Sequence, residues 1–222
     1  MNASALTAAD FVQAGAPAPL PDNEIHLWFF PEWKKVPDAA ASAPVRALLA
    51  AYLDRPLETV CIERGRHGKP RVADARLEFN LAHAADALLL GISRNLPLGV
   101  DLESAQRRIR SVSELARRFF HPAEAAALEN LPEAVRQEAF LRLWCAKEAA
   151  LKAHGQGIGF GLDRVEFAIA PAGTVVPAAG SPWRVLALVP APSHLGALAF
   201  RDPVSRVRAF VAPAIALPRQ SG

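Results

Sequence analysis

Two acids stand close together in Pro97-Leu-Gly-Val-Asp101-Leu-Glu103. The stretch reads as a short apolar strand. Strand side chains alternate between faces, so both carboxylates share one face. No Lys or Arg lies between them, so they repel and need solvent, a proton or a cation. A hard dication such as Mg²⁺ would satisfy them and keep positions open for phosphate oxygens. Asp-x-Glu alone is a common pattern, and on its own a solvated strand end is the simpler account. A second set lies in Trp144-Cys-Ala-Lys147-Glu148-Ala-Ala-Leu-Lys152. Leu141, Trp144, Glu148 and Lys152 follow one another at three or four residues and so line one helix face. An ordinary exposed Glu–Lys pair, worth about 0.2–0.5 kcal/mol, is the alternative. Trp144 one turn earlier and the glycines just beyond weigh against it.

Those glycines, in Gly155-Gln-Gly157-Ile-Gly159-Phe-Gly161, match neither phosphate-loop fingerprint, since no Gly-Lys-Ser/Thr follows and the spacing is not Gly-x-Gly-x-x-Gly. They read as the chain's exit from a helix, with Gly155 as a left-handed cap. The basic turn Gly65-Arg66-His67-Gly-Lys69-Pro70, with His83 further on, is by itself a solvated hairpin turn. The histidines are scattered and neither Cys61 nor Cys145 has a ligand partner at zinc spacing.

The elements that would position these groups follow from periodicity. Residues 1–23 are rich in Ala and Pro and are expected as a loose arm, with one or two helical turns over Leu6 to Val12. Ile25 to Phe30, Glu58 to Arg64, Leu77 to His83, Leu88 to Ser93 and Leu96 to Glu103 read as strands, and Val45 to Leu53 as a helix. Gln106 to Arg110 is a polar, basic loop. Helices are expected over Val112 to Phe120, Pro122 to Leu128 and Glu133 to His154. Strands follow at Val165 to Ile169, Trp183 to Val189, Leu195 to Phe200 and Arg206 to Val211. The expected fold is α+β: after the arm, an N-terminal lobe at 24–103 and a C-terminal lobe at 104–222, similar in make-up, with the site between them.

The 222 residues are 51% hydrophobic and 21% charged, so the chain can bury a sizeable core. A net charge of +3 favours an anionic ligand or partner without reaching the basicity of a nucleic-acid binder. Two distant cysteines suit a reducing compartment. No apolar run approaches the roughly 20 residues that span a bilayer, and the N-terminus has no signal-peptide pattern. The expectation is a cytoplasmic protein, with no membrane and no nucleic-acid partner.

The motifs form one ordered series: Gly65-x-x-Gly-Lys69-Pro70, Phe79-Asn-Leu-Ala-His83, Pro97-Leu-Gly-Val-Asp101-Leu-Glu103, Arg118-Phe-Phe, Trp144-x-x-Lys147-Glu148-Ala-x-x-Lys152, then Gly-x-Gly. From about Arg46 to Gly161 this resembles the phosphopantetheinyl transferases of the surfactin-synthetase-activating type. The resemblance implies two α+β lobes related by a pseudo-twofold, with coenzyme A and Mg²⁺ between them. It implies transfer of phosphopantetheine from coenzyme A to a serine of an acyl or peptidyl carrier protein, releasing 3′,5′-ADP. By motif position Asp101, Glu103 and Glu148 would be the Mg²⁺ ligands. Glu148 would be the base, with Glu103 the alternative, and Lys152 would contact phosphate and help steer the proton. His83 would touch a coenzyme phosphate, and Lys69 and Arg46 would lie near the nucleotide.

Two positions depart from the family pattern. Ala82 stands where relatives carry Ser before the histidine, and Cys145 where many carry Thr or Ser. The resemblance implies that Lys34, Lys35 and Arg46 would substitute for basic residues that relatives often place at the adenine end. Arg107, Arg108, Arg110, Arg117 and Arg118, beside Phe119 and Phe120, form either a dock for an acidic carrier protein or a solvated basic face. Because both lobes lie in one chain, a monomer is expected. Two rival readings stay open: a module that binds coenzyme A or acidic helices without chemistry, and a different pyrophosphate-cleaving enzyme.

Overall fold

In the strand Glu24–Phe30 (β3) nearly every side chain is buried, on both faces. Ile25, Leu27 and Phe29 enter one apolar cluster, while Trp28 and Phe30 enter another. The strand Ala87–Arg94 (β7) behaves likewise, with Leu89 on the first side and Leu88, Leu90 and Ile92 on the second. A strand apolar on both faces must be covered on both faces. That demand sets the layering of the computed structural model, which describes residues 5–14, 17–73, 76–155 and 160–213.

The remaining elements are β1 (Ala5–Thr7), β2 (Phe11–Gln13), α1 (Ala43–Leu53), β4 (Ile62–Arg64), β5 (Pro70–Val72), β6 (Leu77–Ala84), β8 (Leu98–Ser104), α2 (Val112–Phe119), α3 (Pro122–Glu129), α4 (Glu133–His154), β9 (Phe167–Ile169), β10 (Val175–Pro177), β11 (Arg184–Ala191), β12 (His194–Phe200) and β13 (Arg206–Val211). A five-stranded sheet, ordered β2-β13-β3-β7-β6, packs on α1 through the Trp28 side of β3. Its other face meets a four-stranded sheet ordered β1-β11-β12-β8, through Leu98, Val100, Leu102, Leu186, Leu188 and Leu198. The far face of that second sheet carries α4, with α2 and α3 outside it. The order is therefore helix, sheet, sheet, helices. No helix among the described residues is long and apolar enough to cross a membrane.

Two expectations change. The segment expected as a loose arm is ordered from Ala5. Asp10 accepts the Thr7 N–H at 2.7 Å and its hydroxyl at 3.0 Å, closing a 3-10 turn, and Phe11 plugs the core between the sheets. β1 then pairs parallel to β11, and β2 parallel to β13, so the segment joins both sheets. The strand expected over Glu58 to Arg64 begins only at Ile62, because Pro56 starts a 3-10 turn at Leu57–Thr59 that the Thr59 hydroxyl closes. Backbone pairing also joins strands from before and after residue 104. β8 pairs with β12, while β13 sits between β2 and β3. Backbone pairing, not chain order, decides which sheet each strand completes.

Candidate functional site

β8 is an edge strand, paired on one side with β12. Its odd residues point away from the inter-sheet core, toward α4. Gly99 makes that contact possible. A Cβ built there would stand 2.0 Å from the Ala149 carbonyl oxygen and 2.4 Å from the Ala153 nitrogen, so α4 lies backbone to backbone on the strand. This close seat brings Glu148 and Lys152 to the face of Asp101 and Glu103. α4 has the bounds that periodicity predicts, and Gly155 ends it at φ 80°, a left-handed cap. Gly157 and Gly159 lie outside the described residues.

The free edge of β8 is satisfied by side chains. The Lys69 ammonium donates to the Leu98 carbonyl (3.2 Å), Asn80 Oδ1 accepts the Val100 N–H (2.8 Å), and Lys152 donates to the Val100 carbonyl (3.1 Å). Lys152 also donates to Asp101 Oδ1 at 2.7 Å. The second oxygen, Asp101 Oδ2, is buried with no hydrogen-bond partner. An orphaned carboxylate oxygen beside two further acids lacks a partner that a cation or a proton would supply.

The electrostatics agree. Burial pushes the Glu148 carboxyl above the usual carboxylate range, and the neighbouring Asp101 charge pushes the same way against Lys152. Burial also raises Glu103, opposed by Arg107, which forms an ion pair with it. Beneath them Cys145 is buried, its thiol 3.7 Å from the Leu195 carbonyl. Burial drives the thiol pKa far up, and the Asp101 and Glu103 charges add to the effect, so Cys145 is a protonated packing group. With Lys152 and Arg107 drawing two carboxylates aside, no three His, Cys, Asp or Glu side chains among the described residues form a ready metal cage. By chemistry the donor set still fits a hard dication: three carboxylates, one with an orphan oxygen, and no soft ligand in its ionised form.

The rotation of α4 about its axis is fixed by the residue before Glu148. Lys147 is fully buried, 2.7 Å from the Glu124 carboxylate and donating to the carbonyls of Leu162 (2.8 Å) and Val165. Glu124 in turn accepts the N–H groups of Phe167 (2.8 Å) and His121 (2.9 Å). Locking Lys147 against α3 leaves Glu148, about 100° further round the helix, facing β8.

Of the residues picked from sequence, Asp101, Glu103, Glu148, Lys152 and Lys69 gather around β8. His83 is exposed near the end of β6, on the opposite strand face from Asn80 and Ala82. Ala82 is buried in the inter-sheet cluster. Arg46 lies on α1, where its guanidinium donates to the carbonyls of Leu57 (2.9 Å) and Val60 (3.3 Å). Phe120 is core, packed on Phe140 and Trp144, while Arg108, Arg110, Arg117 and Arg118 are exposed. Sequence reasoning missed Asn80 as the partner of β8 and placed Arg107 in the outer basic patch. The short i,i+4 spacing from Glu103 was the available signal for Arg107.

A model of the 4′-phosphopantetheinyl transferase superfamily matches residues 97–187, the segment from β8 through α4 to β11. The chain is 34% identical over 176 residues to the 4′-phosphopantetheinyl transferase HetI of a Nostoc species, covering 78% of this chain and 73% of that protein. It is 35% identical to the 4′-phosphopantetheinyl transferase psf-1 of Bacillus pumilus (54% of this chain, 50% of that protein). It is 32% identical to gsp of Aneurinibacillus migulanus, which bears the same name (51% and 46%). The chain belongs to the 4′-phosphopantetheinyl transferase superfamily, and it is an enzyme of that class. The resemblance drawn from its motifs holds at the family level.

Proposed function

We propose that the chain transfers phosphopantetheine from coenzyme A to a serine hydroxyl of an apo acyl or peptidyl carrier protein and releases 3′,5′-ADP. The observation that carries the site assignment is the orphaned, buried Asp101 oxygen beside Glu103 and Glu148. Asp101, Glu103 and Glu148 would hold Mg²⁺, which when bound supplies charge neutralisation on the pyrophosphate oxygens.

The serine oxygen attacks the phosphorus that bears pantetheine. The bond from that phosphorus to the bridging oxygen breaks, and the bridging oxygen leaves with the electron pair as 3′,5′-ADP. The hydroxyl proton goes to Glu148. Glu148 faces β8 with no ion-pair partner of its own among the described residues and is the first choice for this role, directly or through a water it orients, with Glu103 the alternative. Lys152, already within reach of Asp101 and the strand edge, would meet charge building on the departing phosphate. His83, exposed on β6, would contact a coenzyme phosphate, and Lys69 would face the nucleotide end. Arg46 would shape that end through the 57–60 turn it holds.

The acidic surface of a carrier protein would meet the exposed arginines after β8, beside a groove of about 700 Å³ lined by Arg108, Arg110, Ser111, Arg117, Arg136 and Gln137. A cytoplasmic monomer related internally by a pseudo-twofold completes the proposal. The test is mass spectrometry of apo-carrier proteins incubated with the enzyme, coenzyme A and Mg²⁺. One phosphopantetheine should be added to a carrier, and Asp101→Ala and Glu148→Ala should abolish the gain. Undiminished transfer by both variants would remove the site assignment.

A further inference from the structure

Arg107 lies in the turn that leaves β8, four residues after Glu103, and its position is fixed from several sides. Its N–H donates to the Ser104 carbonyl (3.0 Å), and its own carbonyl accepts from Gln137 Nε2 (3.3 Å). The other end of the Gln137 amide accepts the Ile109 N–H at 3.4 Å, so one side chain of α4 holds the turn at two points. The guanidinium sits 5.9 Å from the Trp144 ring centroid and forms an ion pair with Glu103. Arg107 is thus held by backbone, amide and aromatic ring against one of three carboxylates at the site. Lys152 is paired with Asp101 and donates to the Val100 carbonyl, which leaves Glu148 without a cationic partner of its own among the described residues.

We propose that Arg107 is an internal counter-ion for Glu103 that a divalent cation must displace, so that Arg107 sets how tightly the site takes that cation. The inference rests on the proposed metal reading of Asp101, Glu103 and Glu148. A dication arriving at the site recruits Glu103, and the Glu103–Arg107 ion pair opens. The guanidinium keeps its place over Trp144, facing outward to the anionic partner. The energy of the pair that is lost subtracts from the binding energy of the ion. Glu103 has 17% and Arg107 45% of its side chain exposed, a half-exposed pair. Such pairs are worth up to about 1 kcal/mol, which is about a fivefold change in a dissociation constant.

The experiment is titration of the purified, metal-stripped chain with Mn²⁺, read by the electron paramagnetic resonance signal of the free ion. Arg107→Gln should bind Mn²⁺ about two- to fivefold tighter than the wild type at low salt. The difference should shrink as ionic strength rises, because salt screens the pair in the metal-free protein. Arg107→Lys, which keeps the charge and loses the planar fork, should fall between the two. Equal or weaker binding by Arg107→Gln, with a thermal unfolding curve like that of the wild type, would overturn the counter-ion role. Asp101→Asn separates the two levels. If it binds Mn²⁺ as well as the wild type does, the metal reading itself is wrong. If it loses the ion while Arg107→Gln is unchanged, only the role of Arg107 is wrong.

Discussion

Glu148 has 8% of its surface exposed and faces like charges, so its carboxylate costs stability that the fold supplies elsewhere. Glu148→Gln should stabilise the metal-free chain by roughly 0.5–2 kcal/mol in urea unfolding while abolishing transfer. A destabilised variant would contradict the crowding of charge described here. His26 gives a pH dependence away from the site. It is fully buried, with Nδ1 2.7 Å from the Tyr52 hydroxyl, Nε2 3.5 Å from Glu24, and the Phe210 ring beside it. Burial lowers its pKa, Glu24 opposes that shift, and Arg208 and Arg206 add to it. The unfolded chain therefore takes up the proton first, near pH 6.5. Stability is present above that pH and is lost as the pH falls through the lower folded value. His26→Gln should flatten this fall in urea midpoints measured between pH 7.5 and 5. The acids and Lys152 were legible because strand and helix periods fix which residues share a face. Asn80 was not, since its role depends on how β6 lies against β8, and local sequence does not encode that register.

Gly99 carries the most consequence among the elements. An added methyl would meet the backbone of α4, which cannot give way as a side-chain end can. Gly99→Ala should cost at least the upper part of the roughly 1–3 kcal/mol typical of overpacking. It should also weaken Mn²⁺ binding, because Glu148 and Lys152 retreat with the helix. Wild-type affinity in a destabilised Gly99→Ala chain would show that α4 does not carry the site. The long helix, its glycine stop and the apolar strands β3, β7 and β8 could be read from apolar spacing and caps. The three-residue strands β1 and β2 could not. At three residues each they are too short to show a period, and they become strands because β11 and β13 offer them edges.

Over the whole molecule, the segment Ala5–Gln13 bridges the outer strands of the two sheets. Removing residues 1–13 would uncover both edges and the slot filled by Phe11, which is 6% exposed. Losing one buried aromatic side chain of this kind should lower the melting temperature by at least about 3 °C. A truncated chain melting with the wild type would mean the bridge is decorative. The mixed make-up of helices and strands could be read from the sequence as two runs of α and β elements, but the stacking of one sheet on the other could not. The exchange of strands between the runs could not, since hydrophobic pattern says that a strand is buried but not beside which neighbour.

The place of β13 bears on how the chain is made. Ala209 pairs with both Phe11 and Leu27, so the five-stranded sheet is stitched together by a strand about 180 residues further along the chain than β3. Until it emerges, Ile25, Leu27 and Phe29 belong to a sheet lacking a neighbour, and contacts this distant in sequence form slowly. The nascent N-terminal half therefore cannot complete its sheet until β13 has been made. A ribosome stalled before Arg206 should display a chain that proteases cut in β3, a strand sheltered once β13 has paired with it.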